Sequence, residues 1–341
     1  MNMLSKSTIA TINELSEGTQ SDPSFFEKDW YTTQVLNALA KVKDPNFQLV
    51  FSGGTSLSKA YKLIQRFSED IDFRVIQKKR NATPNNRYEF RLRIAEALNS
   101  LAPNLVLSNP QEFTNRQGNI YFKGEIEYQP HFKIDSSLRD HIKLELSFRQ
   151  IALDPSILGL SSLVNQFTKE VPEVDGFYCV NLAETAADKI AALSWRVVGM
   201  EPNHPDYDPR IIRHLYDLSY LAPRVIDDPQ WSKLSLETVA NDLKTRSKTL
   251  ASKISSPQEL LNQLVTKLRS NEFYRGSYQD FVEELTYGES LPFEQAIETL
   301  NLLSDQLCAA HQRSQNQQLN GHLSVEVEDT EEIGEDLGLQ N

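Results

Sequence analysis

Two aspartates separated by a single residue, Asp70 and Asp72, give the clearest indication of chemistry in the sequence. Alternate side chains of a β-strand project from the same face, so both carboxylates can share one cation. Carboxylate oxygens suit hard divalent ions such as Mg²⁺ or Mn²⁺, which offset phosphate charge while an attacking hydroxyl is aligned. The pair therefore predicts metal-dependent phosphoryl or nucleotidyl transfer. By itself, an Asp-x-Asp pair is more often a solvated strand edge or a loop cap.

A third acid usually completes a metal site of this kind. Residues 142–148 alternate between apolar and polar side chains, which predicts a strand with one buried face. Glu145 lies at the middle of the polar face and is the predicted third metal ligand. Glu69, next to Asp70, would point the opposite way, so a salt bridge or a cap is the better expectation for it.

A glycine turn precedes the aspartates. The β-rich run 47–51 leads to Gly53 and Gly54, and a helical pattern begins near Ser56. Glycines let backbone N–H groups approach phosphate oxygens, and the start of a helix carries partial positive charge. The hydroxyls of Thr55 and Ser56 add hydrogen-bond donors. These residues are predicted to hold nucleotide phosphates, although an ordinary turn with a helix N-cap has the same sequence.

Three more polar residues lie close enough in sequence to contact the same nucleotide. Lys59 is one turn into the helix, and Arg66 and Ser68 lie just before the aspartates. A solvated Lys59 is an equal alternative. The order of all these features is more specific than any one of them. A strand, a Gly-Gly-Thr-Ser turn, a helix, Asp-x-Asp on the next strand and a later acid together form a minimal nucleotidyltransferase layout.

A second set of charged residues lies in the helical part of the sequence. Lys189 and Arg196 are seven residues apart on a predicted helix and hence on one face, where both could meet a triphosphate. A solvated basic stripe is the alternative. Asp217 lies four residues after Arg213, so a helical surface ion pair is its ordinary explanation.

An α+β first half and an α-helical second half must position these residues. Helical spacing predicts a helix over 25–42, and the sequence is helical in pattern from 182 to 310. Alternation predicts strands over 71–76, 118–128 and 141–149. The fold class expected from these patterns is α+β with a mixed sheet, followed by a helical half.

The predicted organisation has four parts. They are a polar lead-in over 1–24, a nucleotidyltransferase core over 25–180, a helical domain over 181–311 that completes the active-site cleft, and a tail over 312–341. The tail is rich in Gln, Asn and acids and has no aromatic residue. Such a composition offers little apolar burial to offset the entropy of ordering, so we expect the tail to be disordered.

Composition bounds the compartment and the class of partner. No apolar run reaches about eighteen residues and no signal-peptide pattern occurs, so a cytoplasmic protein without a membrane span is expected. Cys179 and Cys308 have no closely spaced partner, which argues against disulfides and structural zinc. The formal net charge is −12, but residues 314–341 hold seven acids and no Lys or Arg, so the rest carries −5. A basic stretch over 78–93 remains able to guide RNA.

The runs from Phe51 to Tyr61, FSGGTSLSKAY, and from Arg66 to Phe73, RFSEDIDF, closely resemble the AbiEii/AbiGii toxin family of nucleotidyltransferases. Segments 26–31, 183–192 and 213–218 fit the same family. The resemblance implies a DNA polymerase β-like nucleotidyltransferase fold. It implies that the two aspartates bind metal and that the glycine turn holds the nucleotide phosphates. It also implies that Lys189 and Asp217 complete the catalytic centre.

The resemblance further implies a biological role. The chain is expected to be the toxin of a toxin–antitoxin or abortive phage infection system, active in antiviral defence, with a cognate antitoxin encoded nearby. Some family members add nucleotides to tRNA 3′ ends, so transfer of a nucleoside monophosphate from a triphosphate to tRNA is expected here. Two alternatives stay open. The same site can serve a protein or small-molecule acceptor, or the chain can be a nucleotide-binding interaction module without turnover.

Overall fold

The computed structural model of the chain describes residues 4–79, 82–101, 104–108, 114–116, 120–245 and 254–332. The chain divides into two units. The first comprises Met1–Thr185 and Gly276–Pro292, and the second comprises Ala186–Arg275 and Phe293–Asn341. Within the described ranges, no helix is both long and apolar enough to cross a membrane.

The first unit is built on a mixed β-sheet, as predicted. The strands are β1 (Phe47–Ser52), β2 (Asp70–Gln77), β3 (Leu105–Ser108), β4 (Thr114–Arg116), β5 (Tyr121–Tyr128), β6 (His141–Ser147), β7 (Ser156–Leu160) and β8 (Val174–Cys179). Strand β1 runs antiparallel to β2, and β2 runs parallel to β6. The strand order is β3-β5-β6-β2-β1-β8-β7, and β4 pairs with β5.

Five helices accompany the sheet, and several carry a clear N-terminal signal. Ser5, Asp22 and Thr83 each accept a hydrogen bond from a backbone N–H of the first turn that follows. Such side-chain caps stabilise a helix start by about 1 kcal/mol. The helices are α1 (Lys6–Thr19), α2 (Pro23–Ala40), α3 (Gly53–Lys59), α4 (Pro84–Asn99) and α5 (Leu163–Thr168). Sequence patterns did not predict α1, β3, β4, β7, α5 or β8.

One face of the sheet supports the core, and the other is polar at β2 and β6. The buried residues alternate along both strands: Ile71 and Phe73 on β2, and Leu144 and Leu146 on β6, are at most 1% exposed. Buried apolar residues of α2 and α4 belong to the same core cluster. The half-buried polar residues between them therefore project from the opposite face, where Asp70, Asp72 and Glu145 are found.

The second unit is helical, in agreement with the prediction for the second half of the chain. Its helices are α6 (Leu182–Gly199), α7 (Arg213–Val225), α8 (Pro229–Thr245), α9 (Pro257–Ser270) and, last in the chain, α11 (Phe293–Glu332). Helix α6 begins in the first unit and continues into the second, whereas α10 (Glu272–Leu285) begins in the second unit and belongs to the first from Gly276 onward. Helices α7 and α9 both pack against α11, and fully buried residues such as Trp231, Leu260 and Leu264 form the core.

The expected disordered tail over 312–341 differs from the structure. Helix α11 continues through Glu332, and residues 333–341 lie outside the described residues. The stretch Phe293–Glu332 has no proline and a single glycine, Gly321, and is rich in Gln, Leu and Glu. These are good helix formers, and each residue added to an existing helix gains a hydrogen bond without a new nucleation step. Residues 118 and 119 of one predicted strand also lie outside the described part.

Candidate active site

The three predicted metal ligands lie on two neighbouring strands. In the parallel pair of β2 and β6, Asp72 is the register partner of Glu145 and Asp70 is the register partner of Lys143. Adjacent strands are about 4.8 Å apart, so all of these side chains form one patch on the polar face of the sheet. Within the described residues, no three acidic, histidine or cysteine side chains converge closely enough to hold one metal ion.

Two basic side chains from the β6 side pair with acids of this patch. Arg139 Nη1 contacts Asp70 Oδ1, and Lys143 Nζ contacts Glu145 Oε1. Burial lowers the pKa of Lys143, but the Glu145 hydrogen bond and the charges of Asp70 and Asp72 outweigh it, so the pKa lies above its ordinary value of 10.5. The patch thus combines hard oxygen donors with their own counter-ions. This donor set fits a hard divalent cation.

Lys143 and Arg139 were not among the predicted site residues. The alternation of β6 could have found Lys143, because it lies on the same face as Glu145. Arg139 lies in the loop before β6, where no periodicity indicates which way a side chain points.

The glycine turn lies directly against the patch. Gly53 has a φ of +76°, and a Cβ built on it would overlap the Asp72 carboxylate. A Cβ on Gly54 would overlap the Arg66 guanidinium and lie 3.2 Å from Ser68 Oγ. Both glycines are therefore needed for the close approach of these side chains.

Helix α3 begins at Gly53, earlier than the expected start near Ser56. The hydroxyls expected to face phosphate are turned into the protein. Thr55 Oγ1 donates to the Asp70 carbonyl oxygen and lies 2.8 Å from Ser68 Oγ, and both Thr55 and Ser56 are fully buried. Ser56 Oγ donates to the Gly53 carbonyl oxygen at 2.9 Å. These two residues fasten the turn to itself and to β2.

Lys59 was predicted to contact nucleotide, and the structure gives it another role. Its side chain is 1% exposed, and Nζ donates to Asp29 Oδ1 at 2.6 Å, the Asp29 carbonyl oxygen at 2.9 Å and Thr33 Oγ1 at 2.7 Å. These contacts use all three ammonium hydrogens. The Lys59 side chain, at the end of α3, thus points onto α2 and links the two helices.

Arg66 and Ser68 lie in the loop before β2. This loop is held in place by residues 285–287, which are distant in sequence. Arg66 is 4% exposed, and its Nη1 donates to the Phe67 carbonyl oxygen at 3.0 Å. Phe67 N donates to the Leu285 carbonyl oxygen at 2.9 Å, and the rings of Phe67 and Tyr287 are 4.9 Å apart. This support within the first unit holds the loop that carries both residues beside Gly54.

Glu69 forms the salt bridge expected for it. Its Oε2 lies 2.7 Å from Lys28 Nζ, and the two side chains are only 4% and 3% exposed. Burial raises the pKa of Glu69, but the Lys28 charge and the Arg139 backbone N–H outweigh it and hold the pKa below its ordinary value of 4.5. Glu69 is thus used in a buried pair with α2, although it is next to Asp70 in sequence.

In the second unit, Lys189 and Asp217 form a preformed pair. Lys189 Nζ lies 2.6 Å from Asp217 Oδ2, with side-chain exposures of 6% and 0%, and 3.4 Å from His214 Nδ1. Asp217 therefore contacts Lys189, the residue with which the resemblance pairs it in the catalytic centre. Arg196 is half-buried on α6, and its guanidinium lies 4.9 Å from the centre of the Trp195 ring.

Comparisons with known proteins agree with these features. The sequence profile described as "Nucleotidyl transferase AbiEii toxin, Type IV TA system" matches residues 34–299. No curated protein was found to match the chain. Among solved structures, the fold is similar to that of MenT4, a nucleotidyltransferase toxin from Mycobacterium tuberculosis H37Rv. The TM-score is 0.56 at 19% identity, and the match covers 86% of this chain and 89% of that chain.

Proposed function

Because the chain belongs to the AbiEii family of nucleotidyltransferase toxins of type IV toxin–antitoxin systems, we propose that it transfers a nucleoside monophosphate from a triphosphate to the 3′ end of tRNA. The observation that carries this proposal is the patch formed by Asp70, Asp72 and Glu145 on adjacent strands, with Gly53 directly against Asp72. Family membership also implies an antitoxin as a partner. We further propose that the reaction takes place in the cytoplasm and that it serves antiviral defence.

Asp70 and Asp72 are the proposed ligands of Mg²⁺ or Mn²⁺, with Glu145 as the third. Nucleotidyltransferases of this kind generally use divalent metals. A bound divalent ion would offset the charge of the triphosphate and of the acceptor oxygen. The three carboxylates are suited to this because they are only part-exposed and share one face of the sheet. Arg139 contacts Asp70 and Lys143 contacts Glu145, so an ion bound by these carboxylates would compete with both basic side chains.

The chain itself contributes positioning and charge. A hydroxyl that attacks in line at the α-phosphate needs to be aligned, and pyrophosphate leaves without a covalent enzyme intermediate. The backbone of Gly53 and Gly54 is the proposed cradle of the phosphates. Thr55, Ser56, Arg66 and Ser68 shape that turn from within. Lys59 has no place in this proposal because its hydrogens are used on α2.

Lys189 and Asp217 belong to the proposed catalytic set on the family resemblance. Their mutual contact supports this, because a carboxylate 2.6 Å from the Lys189 ammonium leaves the buried side chain few orientations. Arg196 is the proposed second cation for the triphosphate on the same helix face.

The proposal is tested by growth of a host that expresses the wild-type chain or a D70A/D72A variant, with the 3′ ends of total RNA sequenced from both. We expect toxicity and extended tRNA only with the wild type. Toxicity with unchanged RNA would move the acceptor to a protein or a small molecule. Equal behaviour of the two chains would indicate a binding role and overturn the proposal.

A further inference from the structure

Arg139 occupies one oxygen of a proposed metal ligand. Its Nη1 contacts Asp70 Oδ1, and the two side chains are 23% and 28% exposed. A part-exposed ion pair near the surface contributes little to stability, so stability alone does not explain this contact. A cation that binds Asp70 through the same oxygen has to compete with this guanidinium.

The main chain of Arg139 is held in place by a buried ion pair. Its N–H donates to Glu69 Oε2 at 3.0 Å, and its carbonyl oxygen accepts from Lys28 Nζ at 2.6 Å. Lys28 and Glu69 are themselves paired at 2.7 Å. Burying two charges is costly, and here they fasten one residue of a loop. The backbone position of Arg139 is thus fixed, while its part-exposed side chain remains able to rotate.

Residues of α2 also hold an earlier part of the same loop, before Arg139. Glu27 accepts hydrogen bonds from the backbone N–H groups of His131 and Phe132, at 2.6 and 3.0 Å. Ser24 Oγ accepts from the N–H of Asp135 at 3.1 Å. The guanidinium therefore projects from a rigid base at the edge of the carboxylate patch.

The charges of the patch nearly cancel. Asp70, Asp72 and Glu145 are balanced by Arg139 and Lys143, which leaves one negative charge among the five groups. A divalent cation alone is attracted only weakly by such a patch. A triphosphate is a better partner for the guanidinium than one carboxylate oxygen, because its oxygens match the planar fork of N–H donors.

We propose that Arg139 is a built-in counter-ion that holds Asp70 in the absence of substrate and moves to the phosphates when a nucleoside triphosphate binds. This inference rests on the proposed function. Arg139 then blocks binding of a cation without nucleotide and strengthens binding of nucleotide with a cation. Metal and nucleotide binding become coupled through one side chain.

The coupling predicts opposite effects of a single substitution. Arg139→Gln leaves the main-chain bonds to Glu69 and Lys28 in place, so the fold is expected to survive. We expect Mn²⁺ alone, measured by electron paramagnetic resonance of the free ion, to bind the variant at least tenfold more tightly than the wild type. At saturating Mn²⁺, non-cleavable α,β-imido analogues of the four nucleoside triphosphates should bind at least tenfold more weakly in equilibrium dialysis.

Arg275→Gln is the matched control, because it makes the same change at a part-exposed arginine that pairs with Glu272 and Glu294 and not with the patch. Both of its affinities should stay within twofold of the wild type. Arg139→Lys keeps the positive charge but not the planar set of N–H donors. Its affinity for Mn²⁺ alone should be as low as that of the wild type, while its affinity for nucleotide stays as weak as that of Arg139→Gln.

The inference is overturned if Arg139→Gln leaves either affinity unchanged, or weakens both as a general loss of structure would. If the wild type binds the nucleotide analogues with Mn²⁺ present and Asp72→Asn does not, the proposed function stands even if Arg139 fails its test. If the wild type binds no nucleotide even with Mn²⁺ present, the proposed function is overturned and this inference with it.

Discussion

The Asp72 carboxylate lies in the space that a side chain on residue 53 would occupy. A Cβ built on Gly53 overlaps Asp72 Oδ2, and the Gly53 φ of +76° is strained for any residue with a side chain. Asp72 is also tied to the turn through its carbonyl oxygen, which accepts from Ser52 Oγ at 3.1 Å. The turn and the carboxylate are thus one structural element of the site.

Gly53→Ala should therefore abolish most activity while the protein stays folded. The added methyl displaces Asp72, and a displacement of about 1 Å costs roughly 100-fold in rate. Gly18→Ala is the control, since nothing lies within 4 Å of a Cβ built there. Transfer rates measured on both variants test this. A Gly53→Ala protein with wild-type activity would show that Asp72 can move freely.

Lys59→Met should lower stability without weakening nucleotide binding. The substitution leaves Asp29 part-buried without its cation, which costs about 3 kcal/mol in the free energy of unfolding. Urea denaturation measures the loss in the free energy of unfolding. Equilibrium dialysis, under conditions in which the variant is folded, measures its affinity for nucleotide. A tenfold weaker affinity in the folded variant would return Lys59 to the nucleotide site.

Lys189 and Asp217 should behave as a unit in stability measurements. Asp217→Leu alone leaves a buried lysine without a carboxylate and costs about 3 to 5 kcal/mol. Lys189→Met combined with Asp217→Leu should cost less than Asp217→Leu alone, because two apolar side chains replace two buried charges. Urea denaturation of Lys189→Met, Asp217→Leu and the double variant checks this, and additive losses would contradict it. The folded double variant should be inactive.

The Lys28–Glu69 pair predicts a dependence of stability on pH. The pKa of Glu69 is lowered in the folded state, so its contribution is present above the ordinary value of 4.5 and is lost as the pH falls through the folded-state value. Glu69→Gln should lower the free energy of unfolding by about 3 kcal/mol at neutral pH. The difference between the variant and the wild type should become smaller below pH 4.5. Thermal unfolding between pH 7 and 3.5 measures it. Glu298→Gln, at an exposed position, should follow the wild type throughout; a constant Glu69→Gln gap would contradict the argument.

Local periodicity was sufficient to place the acids on their strands. The alternation of β2 and β6 put Asp70, Asp72 and Glu145 on polar faces, and the structure agrees. Alternation does not identify a partner strand, and a shift of one residue would turn Glu145 to the other face. The pairing of Asp72 with Glu145 is decided by the whole sheet, so it required the structure.

Side-chain direction and long-range pairing were beyond local patterns. Lys59 has the right sequence position for a phosphate contact, but the packing of α3 on α2 turns it onto Asp29. Arg139 reaches Asp70 from a loop without periodicity. Strands β7 and β8 are short and contain Gly159 and Gly176, which weaken a strand signal.

The most direct test of the central claim uses purified protein, total tRNA, Mg²⁺ and each of the four nucleoside triphosphates labelled at the α-phosphate. The account predicts that the wild type and Arg275→Gln attach label to the tRNA 3′ end, and that Asp70→Asn and Asp72→Asn attach none although both remain folded. Full transfer by either aspartate variant would contradict the assignment of these two carboxylates as the catalytic centre.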